Sequence, residues 1–365
     1  MRRLAVTTLA TLFALGTVSA FGEDAVKSLE PQPARWTSPA ETAQAPLDYD
    51  FADALAAATA PETSTGAEEA ETAPAAEEAS EAPAAPPPLP FHCIEGYSGG
   101  PITPMAYLCN TENKDVTPDG VGLPSAAYTF VNLGTKEMHV VSFSQTFLER
   151  FEFGYAFQHL DTGSLHDDLR DAGLNMGERY VGLHHFNFRA MLLEENSFDL
   201  PLPAVTAGVH FKFNEEMDSI DRSLGGAFTN IGYSDDFGID YTLTATKMFP
   251  KLAAGRPLIL TGGLRLSRAA QLGLLGFGDD YKATFEGSVA CMPLDQLCLA
   301  YEYRMKNNPY HKINGLVEEE HDWHAFSANW IVNDRVTITG LYGMFGNIAN
   351  TREDSVLGLQ VKYEF

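Results

Sequence analysis

The chain ends in the stretch DSVLGLQVKYEF, residues 354–365, in which apolar and polar side chains alternate. The apolar set is Leu357, Leu359, Val361, Tyr363 and Phe365, and the other set is Gly358, Gln360, Lys362 and Glu364. A period of two places the two sets on opposite faces of a β-strand. Because a strand of a soluble β-sandwich shows the same alternation, the rest of the chain must decide where the apolar face points.

Residues 1–20 have the features of a secretory signal peptide. Arg2 and Arg3 precede an apolar run from Leu4 to Val18, and small residues follow the run. The run is shorter than the ~20 residues that a helix needs to cross a bilayer. We therefore expect residues 1–20 to be removed during export.

Residues 21–90 form a second region that is rich in Ala, Pro and Glu, as in the stretch PETSTGAEEAETAPAAEEASEAPAAPPPLP at 61–90. Such a composition cannot bury enough apolar surface to offset the entropy lost on ordering. We expect a disordered, semi-extended tether. Either it is a tail without a role, or it reaches across the periplasm toward the cell wall or a partner.

From residue 91 onward, aromatic residues, glycines and threonines are frequent and no long helical pattern occurs. Runs with a period of two predict twelve strands, at residues 123–132, 138–146, 149–159, 182–193, 204–213, 239–248, 258–267, 281–291, 296–305, 322–331, 336–345 and 355–365. In FEFGYAF, residues 151–157, aromatic residues alternate with Glu152, Gly154 and Ala156. One face of each predicted strand is apolar and the other carries the charges.

The predicted connections are sorted by length. Short turns, such as 146–149, 292–296 and 331–336, fall on the side where the last strand ends, and most connections on the other side are long. Short turns at one rim, long loops at the other and an even number of alternating strands are typical of outer-membrane barrels. The sequence thus predicts an all-β fold, an antiparallel transmembrane β-barrel of about twelve strands (range ten to fourteen) over 123–365, with both termini in the periplasm.

The terminal aromatic residue has a role in this interpretation. The ending resembles the C-terminal signal by which the barrel-assembly machinery recognises its clients. Gly358, Val361, Tyr363 and Phe365 occupy the positions at which that signal has a glycine, an apolar residue and aromatic residues. We expect these four residues to direct assembly.

Several longer stretches resemble one bacterial family. These are IEGYSGGPITPMAY (94–107), TLTATKMF (242–249), RAAQLGLLGFGDDY (268–281) and the C-terminal third. Together they are similar to an uncharacterised outer-membrane family, domain of unknown function 3034, over residues 91–365. The resemblance implies location and fold only, and no functional residue is carried over from it.

The four cysteines belong to a chain that we expect to reach an oxidising compartment, where disulfides persist. The local pairings are Cys93 with Cys109 and Cys291 with Cys298, and two other connectivities are possible. Cys291 continues the outward set of its strand, whereas Cys298 lies between outward leucines. The second pairing therefore requires a bulge or a shifted register.

Residues 91–122 precede the predicted barrel and are rich in Gly, Pro and Tyr, which excludes a long helix. The segment either folds into the barrel as a plug or forms a collar or an extra strand outside the lumen. Its glycines lack the strand–loop–helix context of a phosphate-binding loop.

The alternation within each predicted strand also indicates which side chains face the lumen. The side chains predicted to line it are Arg189, Lys212, Lys282, Arg265, Arg304, Lys362, Glu152, Asp240, Glu286, Glu302 and Glu364. The two signs nearly balance, without the arginine excess expected of a channel for acidic sugars. Twelve strands lie between the ~8 whose interior side chains can fill and the ~16 that leave an open channel. The lumen is thus either a narrow path or an ion-paired, closed interior.

A Ser–His lipid hydrolase requires both side chains on the same face of a strand. The nearest pairs, His139 with Ser142 and His324 with Ser327, have an odd separation and lie on opposite faces. The sequence therefore predicts no enzyme.

The net charge of −25 resides mainly in the tether and the long loops. Two acidic groups stand out, Glu318, Glu319, Glu320, His321, Asp322 and His324 in one and Asp235, Asp236 and Asp240 in the other. They are either solvated loops or sites that bridge lipopolysaccharide through a divalent cation. No motif indicates a resident metal or cofactor, and the acidity argues against a nucleic-acid partner.

Two functions remain from the sequence. The first is a narrow passive pore for small solutes. The second is a non-conducting, adhesin-like barrel that displays acidic extracellular loops. In either case we expect outer-membrane lipid, lipopolysaccharide and the barrel-assembly machinery as partners, with the cell wall as a further one through the tether.

Overall fold

A computed structural model describes residues 92–110, 120–171, 173–312, 318–349 and 351–365. The predicted signal peptide and tether, 1–20 and 21–90, lie outside the described residues. No helix in the described ranges is both long enough and apolar enough to cross a membrane.

The described strands are β1 (Ser125–Asn132), β2 (Glu137–Phe147), β3 (Phe151–Asp161), β4 (Tyr180–Leu193), β5 (Ala204–Asn214), β6 (Phe237–Ala253), β7 (Arg256–Ala269), β8 (Phe277–Leu294), β9 (Leu297–Arg304), β10 (Trp323–Ile331), β11 (Val336–Met344), β12 (Gly346–Ile348), β13 (Thr351–Glu353) and β14 (Val356–Glu364). The helices are α1 (Ser164–Asp171), α2 (Met217–Ser223) and α3 (Ala227–Ile231), with 3-10 turns at Ser197–Asp199 and Gln271–Gly273.

Strands β1–β11 and β14 form a closed antiparallel barrel, and β12 and β13 form a separate hairpin. The C-terminal strand β14 closes the barrel between β1 and β11, with Tyr128 of β1 opposite Val361. Closure leaves no unpaired strand edge. The predicted twelve-stranded antiparallel barrel is confirmed.

The exterior is apolar in the phase that the sequence predicts. In β14, Leu357 is 60% exposed and Leu359 is 53% exposed, whereas Gln360 and Lys362 are each 3% exposed. Large apolar side chains also point outward from other strands of the barrel, as Val141 of β2 and Leu264 of β7 do. Such an exterior suits hydrocarbon, which makes this a transmembrane β-barrel.

Connections at the rim that contains residue 365, which we call the terminal rim, span 148–150, 194–203, 254–255, 295–296 and 332–335. Connections at the opposite rim, the long-loop rim, span 133–136, 162–179, 215–236, 270–276, 305–322 and 345–355. Helices α1, α2 and α3 and the β12–β13 hairpin all lie in these long connections.

Residues 92–110, which we call the lumenal segment, lie inside the barrel. Every residue from 92 to 106 is buried. The segment forms hydrogen bonds with inward-facing side chains of strands on several sides of the barrel. It comes close to the wall at Gly96, whose φ of +85° favours glycine. A Cβ at Gly154 of β3 would lie 1.8 Å from the Gly96 carbonyl oxygen.

Candidate functional site

The middle of the lumen is organised around Glu95 of the lumenal segment, which is fully buried. Its Oε1 lies 2.6 Å from Lys212 Nζ. Its Oε2 lies 2.6 Å from Arg304 Nη1 and 3.2 Å from Arg265 Nη2. The hydroxyl of Tyr97 also donates to Oε2 at 2.6 Å. Three wall cations and one phenol thus converge on a single carboxylate.

The wall around Glu95 alternates in sign. Asp240 Oδ2 lies 2.7 Å from Lys212 Nζ and 3.1 Å from Arg265 Nη1. Glu286 Oε2 lies 3.1 Å from Arg265 Nε and 3.8 Å from Arg304 Nε. These wall residues stand on five adjacent strands, β5 to β9, in the order Lys212, Asp240, Arg265, Glu286 and Arg304. With Glu95 they form what we call the central ion network.

A second buried pair joins the segment to β3 and β4. Arg189 Nη1 lies 2.9 Å from Glu152 Oε1 and donates to the Ser98 carbonyl at 3.0 Å. Arg189 also donates to the carbonyl of Met105. Glu152 accepts the backbone N–H groups of Ser98 at 3.0 Å and Cys109 at 2.8 Å. Both members of this ion pair belong to the wall.

Glu302 of β9 holds the bend of the segment. Its Oε2 accepts the backbone N–H of Ile102 at 2.9 Å, the N–H of Thr103 at 2.8 Å and the Thr103 hydroxyl at 2.7 Å. Gly100 packs so closely against this carboxylate that a Cβ there would lie 2.4 Å from Oε2. The wall therefore recognises the backbone of the segment as well as its charge.

His92 connects the segment to β2 and β14. Its ring nitrogens lie 3.3 Å from Ser142 Oγ and 3.2 Å from Ser144 Oγ, and its carbonyl accepts Gln360 Nε2 at 3.0 Å. Within the described residues, neither nitrogen is hydrogen-bonded to a carboxylate that could orient the ring. We interpret these Ser–His contacts as structural ones that fix the segment to the barrel wall.

The two Ser–His pairs considered in the sequence are separated by the wall. Ser142 and Ser327 are buried on the inner face. His139 and His324 lie on the outer face, where their Nδ1 atoms are 2.7 Å and 2.8 Å from tyrosine hydroxyls.

The structure brings most of the predicted lumen residues together. The inward, buried ones are Glu152, Arg189, Lys212, Asp240, Arg265, Glu286, Glu302, Arg304 and Lys362. Lys362 pairs with half-buried Glu364 at 2.5 Å, near the terminal rim. Lys282 lies elsewhere, because its exposed side chain donates to the Asn308 carbonyl at 2.6 Å beyond the end of β9.

The expected disulfides are corrected by the structure, in which Cys93, Cys109, Cys291 and Cys298 are all free thiols. Cys291 is opposite Leu299, whose side chain points outward, and Cys298 is buried on the inner face. These two cysteines therefore point to opposite sides of the sheet. In the other expected pair, the Cys109 thiol lies 3.5 Å from the Thr146 hydroxyl.

The acidic groups predicted as loop clusters are distributed among separate contacts. Asp240 lies in the lumen, whereas Asp235 pairs with Arg268 at 3.3 Å. Glu320 pairs with Lys306 at 3.3 Å, and Asp322 accepts the Tyr303 hydroxyl at 2.6 Å. Across the described ranges, no group of three or more His, Cys, Asp or Glu residues is arranged to hold a metal ion.

Toward the long-loop rim the lumen becomes apolar. A cavity of about 30 Å³ is lined by Ile94, Ile102, Val131, Leu133, Met138, Leu160, Gln271, Leu272, Leu274, Leu275, Trp323, Leu341, Phe345, Ile348 and Ala349. Trp323 stacks on Phe345 at 4.4 Å between ring centroids. Lys306 Nζ lies 4.3 Å from the Trp323 ring centroid, and burial lowers the pKa of this lysine to about 8. Burial also raises the pKa of Glu320.

Sequence reasoning missed the residues that the lumenal segment contributes, above all Glu95, His92 and Tyr97. The segment has no strand periodicity that would assign its side chains to a face. The one signal available was a pair of glycines, Gly96 and Gly154, which permits the segment to touch the wall.

Comparison with known proteins identifies a family and similar barrels. The family described as "Protein of unknown function (DUF3034)" matches residues 91–362. No curated protein matches the chain. Among solved structures, the KdgM porin is 10% identical with a TM-score of 0.42, covering 66% of this chain and 99% of its own.

Two further structures are similar at the same level. Omp33 of Acinetobacter baumannii is 6% identical with a TM-score of 0.36, over 68% of this chain and 100% of its own. The toluene transporter TodX of P. putida is 10% identical with a TM-score of 0.32, over 71% of this chain and 94% of its own. The barrel assignment itself rests on the strand pairing of the closed sheet.

Proposed function

This chain belongs to the DUF3034 family of proteins of unknown function, and we propose that it is an outer-membrane pore for small solutes, closed at rest by its lumenal segment. The apolar exterior and the sorted loops support insertion in the outer membrane with both termini in the periplasm. Recovery of the protein with the inner membrane on cell fractionation would contradict this location.

The observation that carries the proposal is the polarity of the wall that faces the lumenal segment. The wall meets the segment with Glu152, Arg189, Lys212, Arg265, Glu302 and Arg304. Apolar side chains fill a buried space at lower free energy than ion pairs do, because each buried ion must lose its water. A charged inner wall is well suited to a lumen that is at times filled with water.

In the resting state the path is closed. The apolar cavity near the long-loop rim measures about 30 Å³. A second cavity of about 10 Å³, beside Asp240 and Arg265, has room for roughly one water molecule. Neither of these two spaces admits a solute larger than water, so passage through this part of the lumen requires the segment to shift within the barrel.

The non-conducting, loop-displaying barrel is the rival. The filled lumen favours it, since Glu95, Glu152 and Glu302 are all engaged in contacts between the wall and the segment. A barrel whose interior is permanently a folded core would show the same contacts. The two functions differ in the conductance expected once the segment is displaced.

The experiment is a pair of glycine substitutions compared in planar bilayers. In Gly154→Ala the new Cβ would lie 1.8 Å from the Gly96 carbonyl oxygen, so the segment cannot seat in its resting position. In the control, Gly340→Ala, a Cβ on strand β11 meets no atom within 4 Å. We expect Gly154→Ala to conduct at least ~10-fold more often than the wild type, since a steric clash in the resting state can shift a two-state equilibrium by over ~1.4 kcal/mol. Gly340→Ala should conduct as rarely as the wild type.

Heat modifiability on gels must show that both variants form barrels. An assembled Gly154→Ala barrel that stays as silent as Gly340→Ala favours the non-conducting rival.

A further inference from the structure

The central ion network is neutral only while the lumenal segment is in place. The wall supplies three cations, Lys212, Arg265 and Arg304, and two carboxylates, Asp240 and Glu286. The third carboxylate is that of Glu95, which the segment supplies. Within the central ion network, the wall residues by themselves therefore have one positive charge in excess. Glu302 of β9 lies outside this network, because within the described residues its carboxylate has no cation within 4 Å and contacts the segment instead.

The other ion pair of the middle lumen behaves differently. Glu152 and Arg189 both belong to the wall, at 2.9 Å, so displacement of the segment leaves that pair balanced. Within the central ion network, the positive excess lies where Glu95 sits.

We propose that Lys212, Arg265 and Arg304 form a binding site for the carboxylate of a small anionic solute, and that Glu95 is its built-in occupant. The carboxylate of Glu95 stands in for the carboxylate of the solute. The inference rests on the proposed pore function, to which it adds a substrate class. Passage of such a solute would then involve an exchange of one carboxylate for another.

The geometry fits a carboxylate in particular. Lys212 contacts Oε1 of Glu95, whereas Arg265 and Arg304 contact Oε2, so the wall cations hold the two oxygens separately. Ammonium and guanidinium donors bind carboxylates through such charge-assisted hydrogen bonds. A halide offers a single centre, so it cannot present two separate atoms to the two groups of cations.

The electrostatics oppose an empty site. A buried charge that loses its partner is strongly destabilising, because its desolvation is no longer offset. His185 Nδ1 lies 3.9 Å from Glu95 Oε1 and supplies no compensating negative charge. Once Glu95 withdraws, an anion from solution is the direct replacement.

The test is rescue of Glu95→Ala by acetate, the group that this substitution removes. The full chain in detergent micelles is heated in sodium acetate and in sodium chloride at equal ionic strength. We expect acetate near saturation to raise the apparent melting temperature of Glu95→Ala by about 5 °C relative to chloride. The wild type and Glu95→Gln, whose sites are filled, should show no difference between the salts.

A charge-balanced variant keeps the result interpretable if Glu95→Ala assembles poorly. Glu95→Ala with Lys212→Met leaves two cations and two carboxylates, so it should assemble and be indifferent to acetate. Assembly of Glu95→Ala in acetate alone supports the site. Failure to assemble in either salt, equal melting temperatures in the two salts, or equal rescue of the double variant each overturns the proposal.

Ion selectivity separates this inference from the pore function. In bilayers under an acetate gradient, the reversal potential of Gly154→Ala should be that of a pore that prefers anions. Adding Lys212→Met to this variant should reduce the preference. Acetate rescue without conductance in any variant would retain the binding site and reject the pore. Conductance without acetate rescue or anion preference would retain the pore and reject the site.

Discussion

The middle of the lumen and its end near the long-loop rim are filled in different ways. The middle is held by the central ion network, in which Lys212, Arg265 and Arg304 surround Glu95. The end near the long-loop rim is an apolar cluster that includes Ile102, Phe345 and other buried side chains. If the proposed function holds, the lumenal segment is released in the middle, because water can replace ionic partners but gains nothing from wetting apolar ones.

The largest effect on stability is expected in the ionic middle. Arg265→Met removes the contacts to Glu95, Asp240 and Glu286 and leaves buried carboxylates without their central cation. We expect a loss of about 3–5 kcal/mol in the free energy of unfolding, measured by urea titration in micelles. Arg150→Met is the matched control, because Arg150 and its partner Glu194 at the terminal rim are 53% and 59% exposed, and should cost less than about 1 kcal/mol. Equal losses in both variants would contradict the special position of the middle.

At the apolar end, the free energy of unfolding should depend on the volume of the buried side chains. Ile102→Ala removes a fully buried side chain of the segment that lines the apolar cavity, so we expect a loss of about 3 kcal/mol by the same titration. Ile102→Val should cost about 1 kcal/mol. Because both changes leave every charged side chain of the ion network in place, the selectivity of any conductance should stay the same. A change of selectivity in Ile102→Val would break the distinction between the ionic middle and the apolar end.

The smallest effect is a pH dependence at the boundary between the apolar end and the loops. Burial holds the pKa of Lys306 at about 8 in the folded protein, below its usual 10.5. Between these values the unfolded chain binds more protons than the folded one, so stability should rise with pH, by about 1 kcal/mol from pH 8 to pH 9. Lys306→Met should lose this slope in unfolding titrations across that range. A slope that persists in Lys306→Met belongs to another group.

The fold could be predicted from the sequence because each strand repeats the same alternation. The pattern in β14 gives its outward face, and the lengths of the connections give the two rims. The ends of strands were less predictable. Strands β6 and β8 have 17 and 18 residues and extend past the predicted 239–248 and 281–291. The backbone hydrogen bonds between strands continue beyond the stretch whose apolar side chains face the membrane, and the alternation does not reveal that extension. The hairpin of β12 and β13 was missed because three-residue strands have no measurable period.

The candidate site could be predicted only on the wall side. Strand phase assigns Lys212, Arg265 and Arg304 to the lumen, because an inward position follows from counting along the strand. Glu95 does not lie in a strand, so counting cannot assign its side chain to a face. Its role depends on tertiary contacts with residues more than a hundred positions away. The cysteines illustrate the same limit. The compartment suggested disulfides, but the opposite orientations of Cys291 and Cys298 keep their thiols apart.

The central claim is that the lumenal segment closes the middle of the barrel. Its most direct test compares planar-bilayer conductance of the full chain with that of a variant lacking residues 92–110. A deletion of equal length in the predicted tether, residues 61–79, serves as the control. The account predicts frequent, water-filled openings for the first deletion and none beyond the wild-type level for the second. An assembled, heat-modifiable barrel that lacks 92–110 and remains silent would contradict the account.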